Sequence, residues 1–363
     1  MKLRNIIIGS LLAGTVALSG CGSGITDVPD ASTNEAADEK TVNITVSGAE
    51  SESINSSTED GNIGTDKAAS VQEENKVTLP EANVSAAALK EVSEVSEQSG
   101  GLKLSDVWNS KDPGVIFAHD FTEEIKNDVA EASKSSSNLQ DELSSVIKIT
   151  ERYDDLFKAA EAQLELNEAA AWTYDIWDAE LNSLWKRFSD SADAATKERV
   201  LKDQRNWIAM KEEVTLENLG SREDGGSMYP LLEYSFLEEI TKNRSYILAS
   251  ELAKLNGEAF NMPERGIYGT YVDNQGTGDV YSSLITRKGW ENEDEAVISI
   301  YRLCGLDGTF SDTGNGELQF KSNDGNVEGI IHLNGWEGAS FEVTKSGESV
   351  LNVGDKFDFG FAF

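Results

Sequence analysis

The chain has 363 residues, with 65 Asp plus Glu against 31 Lys plus Arg and a formal net charge of −34. That balance argues against nucleic acid as a partner, because binding a phosphate backbone rests on Lys and Arg displacing its counterions. Two cysteines and two histidines exclude a disulfide scaffold and leave little room for His-based catalysis or a multi-His metal site, so no cofactor and no metal are expected.

At roughly 150 residues per domain the length allows about two or three domains. Lys2 and Arg4 precede an apolar run at 6–17 that is too short to span a bilayer comfortably, so residues 1–20 read as a signal peptide. The run ends in Leu18-Ser19-Gly20-Cys21, which resembles the bacterial lipobox. That resemblance implies cleavage before Cys21 and lipidation of its sulfur. Two acyl chains, at about 0.8 kcal/mol per buried CH₂, would hold the protein on the extracytoplasmic face of the cell membrane without a transmembrane helix. Cys304 would then be the one thiol of the mature chain.

Residues 21–100 form the next segment. They are rich in Ser, Glu, Ala, Asn and Thr and contain no aromatic residue. Such a stretch cannot bury enough apolar surface to offset its ordering entropy, and it reads as a disordered acidic tether. The net charge is −12 over 22–100, −14 over 101–260 and −10 over 261–363, so the acidity is spread along the chain.

Residues 101–138 hold apolar side chains such as Trp108, Ile116, Phe117 and Phe121, but Pro113-Gly114 and Ser135-Ser136-Ser137 interrupt them. The segment is left as an arm of unassigned structure. From 139 to 255 the apolar residues follow a helical period. Leu139, Leu143, Val146, Tyr153 and Leu156 begin a stripe that Trp172, Ile176, Trp177, Leu181, Leu184 and Phe188 continue, as one long helix or as two with a break near 165. A further helix over 194–218 is ended by Gly220, and after Gly225-Gly226 a last one runs over 229–255, with Pro230 in its first turn. Short connections between such helices imply an antiparallel bundle.

After Pro263 the period changes to alternation. Strands are expected at 268–272, 280–285, 297–301, 318–320, 329–333, 339–343 and 357–359. Asp307-Gly308, Asn315-Gly316, Asp324-Gly325 and Asn334-Gly335 supply candidate tight turns. Residues 266–363 therefore read as a small antiparallel β-barrel or sandwich, and the whole as α then β.

The helical segment carries Leu166-Asn167-Glu168, Tyr174, Asp178-Ala179-Glu180-Leu181-Asn182, Leu184-Trp185, Gln204-Arg205-Asn206-Trp207-Ile208, Gly225-Gly226-Ser227, Tyr229-Pro230, Leu237-Glu238-Glu239-Ile240-Thr241 and Arg244. In this order they resemble the LprI-like lysozyme-inhibitor family of bacterial lipoproteins, over roughly residues 150–255. The resemblance implies a helical fold and binding to a lysozyme-like hydrolase. It also marks Asp178, Asn182, Gln204, Arg205, Trp207, Gly225, Gly226, Ser227, Thr241 and Arg244 as signature residues, structural or binding. Where the family typically has cysteines, this chain has Ala169, Thr215 and Phe236, so the family's cross-links are absent.

Asp178, Asn182, Gln204, Arg205 and Arg244 lie beside Trp and Leu of the expected core. An internal network in which Arg pairs with Asp and amides cap helix ends explains them better than a ligand site. Gly225-Gly226-Ser227 lacks the lysine of a phosphate loop and reads as a flexible turn with a Ser cap. A Cys304–His332 nucleophile and base pair would need an orienting group that nothing signals. The Asp/Asn/Gly stretches at 273–279, 307–317 and 322–326 lack EF-hand spacing and read as hairpin turns. Asp154-Asp155 and Glu238-Glu239 would need a cleft and one raised pKa to act as glycosidase carboxylates.

These features point to a lipid-anchored, noncatalytic binding protein. Its expected partner is a basic lysozyme-like hydrolase or another envelope protein. The alternative is a general envelope module whose β domain binds a small ligand, glycan or protein, in a barrel cavity lined by Tyr281, Tyr301, Phe320 and Phe341.

Overall fold

The computed structural model describes residues 103–289 and 293–363. The expected signal peptide, the Cys21 anchor and the acidic tether lie outside the described residues. No described helix is long and apolar enough to cross a membrane.

The segment left unassigned in the sequence forms three helices, α1 (Leu104–Trp108), α2 (Pro113–Ile116) and α3 (Thr122–Ser135). Pro113 sits in the first turn of α2, where its missing N–H is harmless. Ile125, Val129 and Ala132 form the buried stripe of α3. Phe121 is fully buried and packs edge-on against Trp172 at 4.8 Å and Tyr153 at 5.5 Å.

The helical stripe divides into α4 (Leu139–Phe157) and α5 (Gln163–Ser191). Asn138 caps α4 by accepting from the Asp141 N–H. Glu165 accepts from the Ala162 N–H at 3.0 Å at the start of α5, which five residues separate from the end of α4. α6 (Ala194–Leu219) begins under the Asp193 cap and stops at Gly220, whose φ is 74°. A short α7 (Arg222–Gly225) and a 3₁₀ turn (Gly226–Met228) lead into α8 (Tyr229–Asn256). α5 and α8 pack along much of their length, while α3 and α4 cover another side of α5.

Among the described residues nine strands follow: β1 (Gly269–Asp273), β2 (Ser282–Lys288), β3 (Asp294–Ile300), β4 (Cys304–Gly314), β5 (Glu317–Ser322), β6 (Val327–Leu333), β7 (Ala339–Ser346), β8 (Lys356–Phe359) and β9 (Phe361–Ala362). Their order is β8-β7-β6-β5-β4-β3-β2-β1-β9, and every pair is antiparallel. β8 and β9 are consecutive in the chain, separated by Gly360. One half of this bent segment pairs with β7 and the other with β1, so it joins the two edges into a nearly closed barrel and leaves little open edge.

β4 corrects the sequence reading. Asp307-Gly308 does not turn the chain but lies within this eleven-residue strand. Gly308 is there for clearance: a Cβ would stand 2.2 Å from the Lys321 carbonyl oxygen and 2.5 Å from the Phe320 ring. Gly329 clears the Phe341 ring in the same way, at 2.2 Å. Phe320 and Phe341 meet edge to face at 5.5 Å inside the barrel. Tyr281 and Tyr301 contact each other at 5.0 Å near the β1–β2 and β3–β4 connections, with Tyr301 exposed. The four rings therefore do not line one cavity, and the interior is filled by Leu284, Ile298, Leu318, Phe320, Ile331 and Phe341.

β3 and β5 alternate buried with more exposed residues, as a sheet with one wet face does, whereas β1 and β2 bury both faces. Tyr271 and Leu284 belong to the barrel core, and Thr270, Val272, Ser283 and Ile285 on the opposite face are buried as well, Thr270 and Ser283 against Asn218 and Glu217 of α6. Thr270 Oγ1 donates to Asn218 Oδ1 of α6 at 3.0 Å, and Asn243 of α8 donates to the Phe363 carbonyl oxygen at 3.2 Å. The helices and the barrel thus share a polar and apolar contact surface.

Candidate functional site

The signature residues separate into three places. Gln204, Trp207, Thr241 and Arg244 meet where α6, α8 and the barrel touch. Arg244, 3% exposed, donates through Nε to Gln204 Oε1 at 2.6 Å and pairs through Nη2 with Asp203 at 2.7 Å. Its guanidinium lies 5.9 Å from the Phe361 ring of β9, and Trp207 stacks on Phe363 at 6.4 Å. Thr241 is fully buried. Arg244 thus pairs with an aspartate, as expected, but that aspartate is Asp203 and not Asp178; Gln204 accepts from Arg244 rather than capping a helix end, and Gln204 Nε2, Trp207 Nε1 and Thr241 Oγ1 meet no hydrogen-bond partner among the described residues. Arg205, one position beyond Gln204, is exposed.

The second place is the turn before α8. A Cβ on Gly225 would stand 2.8 Å from the Tyr229 ring, and Gly226 has φ 53°. Ser227 does not cap α8, contrary to the sequence reading. Its neighbours are already helical, so no free helix end lies within reach of its hydroxyl, and its carbonyl accepts instead from Asn167 Nδ2 at 3.2 Å.

Asp178 and Asn182 lie on a third face, one turn apart on α5, joined by Asn182 Nδ2 donating to Asp178 Oδ2 at 2.9 Å. Around them the structure assembles carboxylates that sequence reasoning did not single out. Burial pushes Glu168 up to about 7, with Asp120 and Glu165 adding repulsion. Asp175, seven residues and nearly two turns further on, keeps an exposed edge, yet the protein packed about its carboxyl, then Asp178 and Asp120, push it up to about 7 as well. Burial also raises Asp178, against the opposing charge of Lys211. Lys211 of α6 donates to Tyr174 Oη at 3.1 Å, and Tyr174 lies 6.0 Å from Tyr234 of α8. The result is an acidic strip along α5 bordered by two tyrosines.

Beneath the surface, Arg187 clasps Glu142 of α4 at 2.9 and 2.5 Å and stands 3.9 Å from Glu180. Glu180 is fully buried, and burial together with the neighbouring Glu142 charge holds its carboxyl well above the usual range. One guanidinium cannot neutralise two buried carboxylates, so Glu180 keeps its proton.

The remaining candidates are accounted for by position. Glu238 accepts from Thr173 Oγ1 at 2.8 Å and ties α8 to α5, and Asp155 pairs with Lys158 at 2.5 Å on the surface. Cys304 faces Ile300 at one end of the barrel, whereas His332 faces Glu317 at the other, so they cannot act together. Asp273, Asp312 and Asp324 accept from the backbone N–H groups of Gln275, Gly314 and Asn326, which fixes local turns. The described residues include an open cleft of about 430 Å³ beside Trp108 and Arg152 and another of about 710 Å³ at the base of the barrel. Glu168, Asp175 and Glu180 line neither.

Residues 157–248, from the last residue of α4 through most of α8, match the family model described as Lysozyme inhibitor LprI. Within the helical region, residues 157–248 are thus similar to the LprI family, and the barrel lies outside the matched stretch. No curated protein and no solved structure matches the chain.

Proposed function

We propose that this protein is a lipid-anchored, noncatalytic binding protein of the cell envelope that captures a basic lysozyme-like hydrolase through the acidic strip of its LprI domain. The single observation that carries the reading is the family match over residues 157–248. Charge supports it: with a net −34 the molecule would steer a cationic partner toward itself over long range, and the attraction would weaken as salt screens it. Glu168, Asp175 and Asp178 lie on one stretch of α5 beside Tyr174 and Tyr234, and tyrosines beside charge are common anchors of protein interfaces.

Anchoring rests on the lipobox-like Leu18-Ser19-Gly20-Cys21 behind an apolar h-region. In this reading Cys21 holds the protein at the extracytoplasmic face, and the acidic tether gives the folded part reach. The family's cysteines are replaced by Ala169, Thr215 and Phe236, and the helices are held instead by apolar packing and the Arg187 and Arg244 clasps.

The test is an assay of cell-wall lysis by a basic lysozyme, with the chain from residue 22 onward added at low and at physiological salt. Inhibition that weakens with salt supports the reading. Absence of both inhibition and co-purification with any muramidase overturns it.

A further inference from the structure

The larger cleft, about 710 Å³, opens at the end of the barrel where the segment 263–267 between α8 and β1 crosses the mouth. Arg265 and Tyr271 form its inner wall. Arg265 Nη2 donates to the Phe363 carbonyl oxygen at 2.5 Å. The guanidinium stacks over the Trp336 ring at 4.8 Å, and Trp336 is itself fixed by its N–H donating to the Pro263 carbonyl oxygen at 2.8 Å. The Tyr271 ring lies 5.4 Å from the guanidinium.

Two atoms in this wall stand out. Arg265 Nη1 and Tyr271 Oη are both screened from water, and neither meets a hydrogen-bond partner of ordinary geometry. The guanidinium lies close enough for an Arg265 N–H to point at the phenol oxygen, and burial raises the phenol, so Tyr271 keeps its proton and its O–H remains a donor without an acceptor. A buried donor left unmade is costly, and a phenol O–H held beside a guanidinium at one cleft calls for an acceptor. A carboxylate fits a guanidinium edge and a phenol O–H, being planar and able to accept twice.

The rest of the lining limits the ligand. Ile267, Leu333 and Trp336 offer an apolar floor. Glu264 and Asp312 also line the cleft, and the Glu239 charge reaches Arg265, so a dianion would be repelled where a single negative charge is tolerated.

We propose that the barrel-base cleft binds a small molecule that carries one carboxylate beside an apolar or aromatic portion, the carboxylate accepting from Arg265 Nη1 and Tyr271 Oη. The Trp336 ring, which covers the guanidinium, shifts to admit it. This site is separate from the acidic strip and does not depend on hydrolase capture.

Calorimetric titration of the chain from residue 22 onward tests it with four probes: benzoate, phenylalanine, phenyl phosphate and phenethylamine. Benzoate and phenylalanine bind saturably, phenyl phosphate binds more weakly and phenethylamine does not bind. Y271F removes one donor without altering ring volume, and weakens benzoate about tenfold with an unchanged melting temperature. R265Q abolishes benzoate binding, and the Trp336 indole N–H resonance moves on benzoate addition to the wild type. No saturable binding of either carboxylate, equal affinity in Y271F, or phenethylamine binding as tightly as benzoate overturns the proposal.

Discussion

Arg244 of α8 and Gln204 of α6 are joined by a 2.6 Å hydrogen bond from Nε to Oε1, and the same guanidinium lies against Phe361 of the last strand. One buried side chain thus ties two helices to the barrel. Replacing Arg244 by Ala removes its pairing with Asp203 and strands the Gln204 amide, and the expected loss is about 2–4 kcal/mol in urea unfolding. Arg205→Ala, on the exposed side of the same helix, should change stability by less than about 0.5 kcal/mol. Equal effects would show that the network does not hold the junction.

Stability should fall as pH rises from acid toward neutral. Glu168 and Asp175 have folded pKa values raised to about 7 from ordinary values of 4.5 and 3.8, and Glu180 is raised well above 4.5. Between the ordinary and the raised value the folded state binds more protons than the unfolded chain, so their contribution is full below the ordinary value and is lost as pH rises through the raised one. The lowered carboxylates Asp120, Asp294 and Asp324 act oppositely, losing stability as pH falls below 3.8. Urea midpoints should therefore be higher near pH 5 than at pH 8, and Glu180→Gln should reduce the difference. A midpoint that rises steadily from pH 5 to 8 contradicts the assignment.

Gly329→Ala places a methyl group 2.2 Å from the Phe341 ring and 2.6 Å from the Glu342 carbonyl oxygen. Overpacking of this kind costs about 1–3 kcal/mol. Adding Phe341→Leu should recover part of the loss in a melting experiment, because it removes the ring edge but not the backbone contact. Recovery of none of it would mean that the backbone contact dominates.

Much of this fold was legible because its signals are local. Gly220 at the end of α6 and Pro230 at the start of α8 act within one helical turn, and the alternation of β6 and β7 is read from neighbouring residues. β4 was hidden because Asp307-Gly308 has the chemistry of a tight turn, while the need for Gly308 comes from Phe320 on the adjacent strand. α3 was hidden by the breakers on either side, although Ile125, Val129 and Ala132 keep helical spacing. The pairing of arginine with aspartate was foreseen in kind, but the aspartate is Asp203, and the Gln204 amide accepts from Arg244 instead of capping a helix end. The raised carboxylates of Glu168, Asp175 and Glu180 depend on what packs around them, and along α5 only the seven-residue spacing of Glu168 and Asp175 offers a hint. Arg265 and Trp336 come together from segments far apart in the chain.

Cys21→Ser should release the protein from the membrane fraction into the medium, since two acyl chains are needed for stable anchoring. Fractionation followed by mass analysis of the N-terminal peptide checks this. Retention of the variant at the membrane would contradict lipidation as the anchor.

The central claim is the proposal that the acidic strip of the LprI-like stretch captures a basic hydrolase. It is tested most directly by measuring association of a basic lysozyme with the wild type and with the Glu168→Gln/Asp175→Asn/Asp178→Asn variant at low and physiological salt. These neutral changes relieve mutual repulsion and should preserve the fold. The account predicts slower association and a shallower salt dependence for the variant, with the melting temperature maintained. Identical association for variant and wild type, or no association with either, would contradict it.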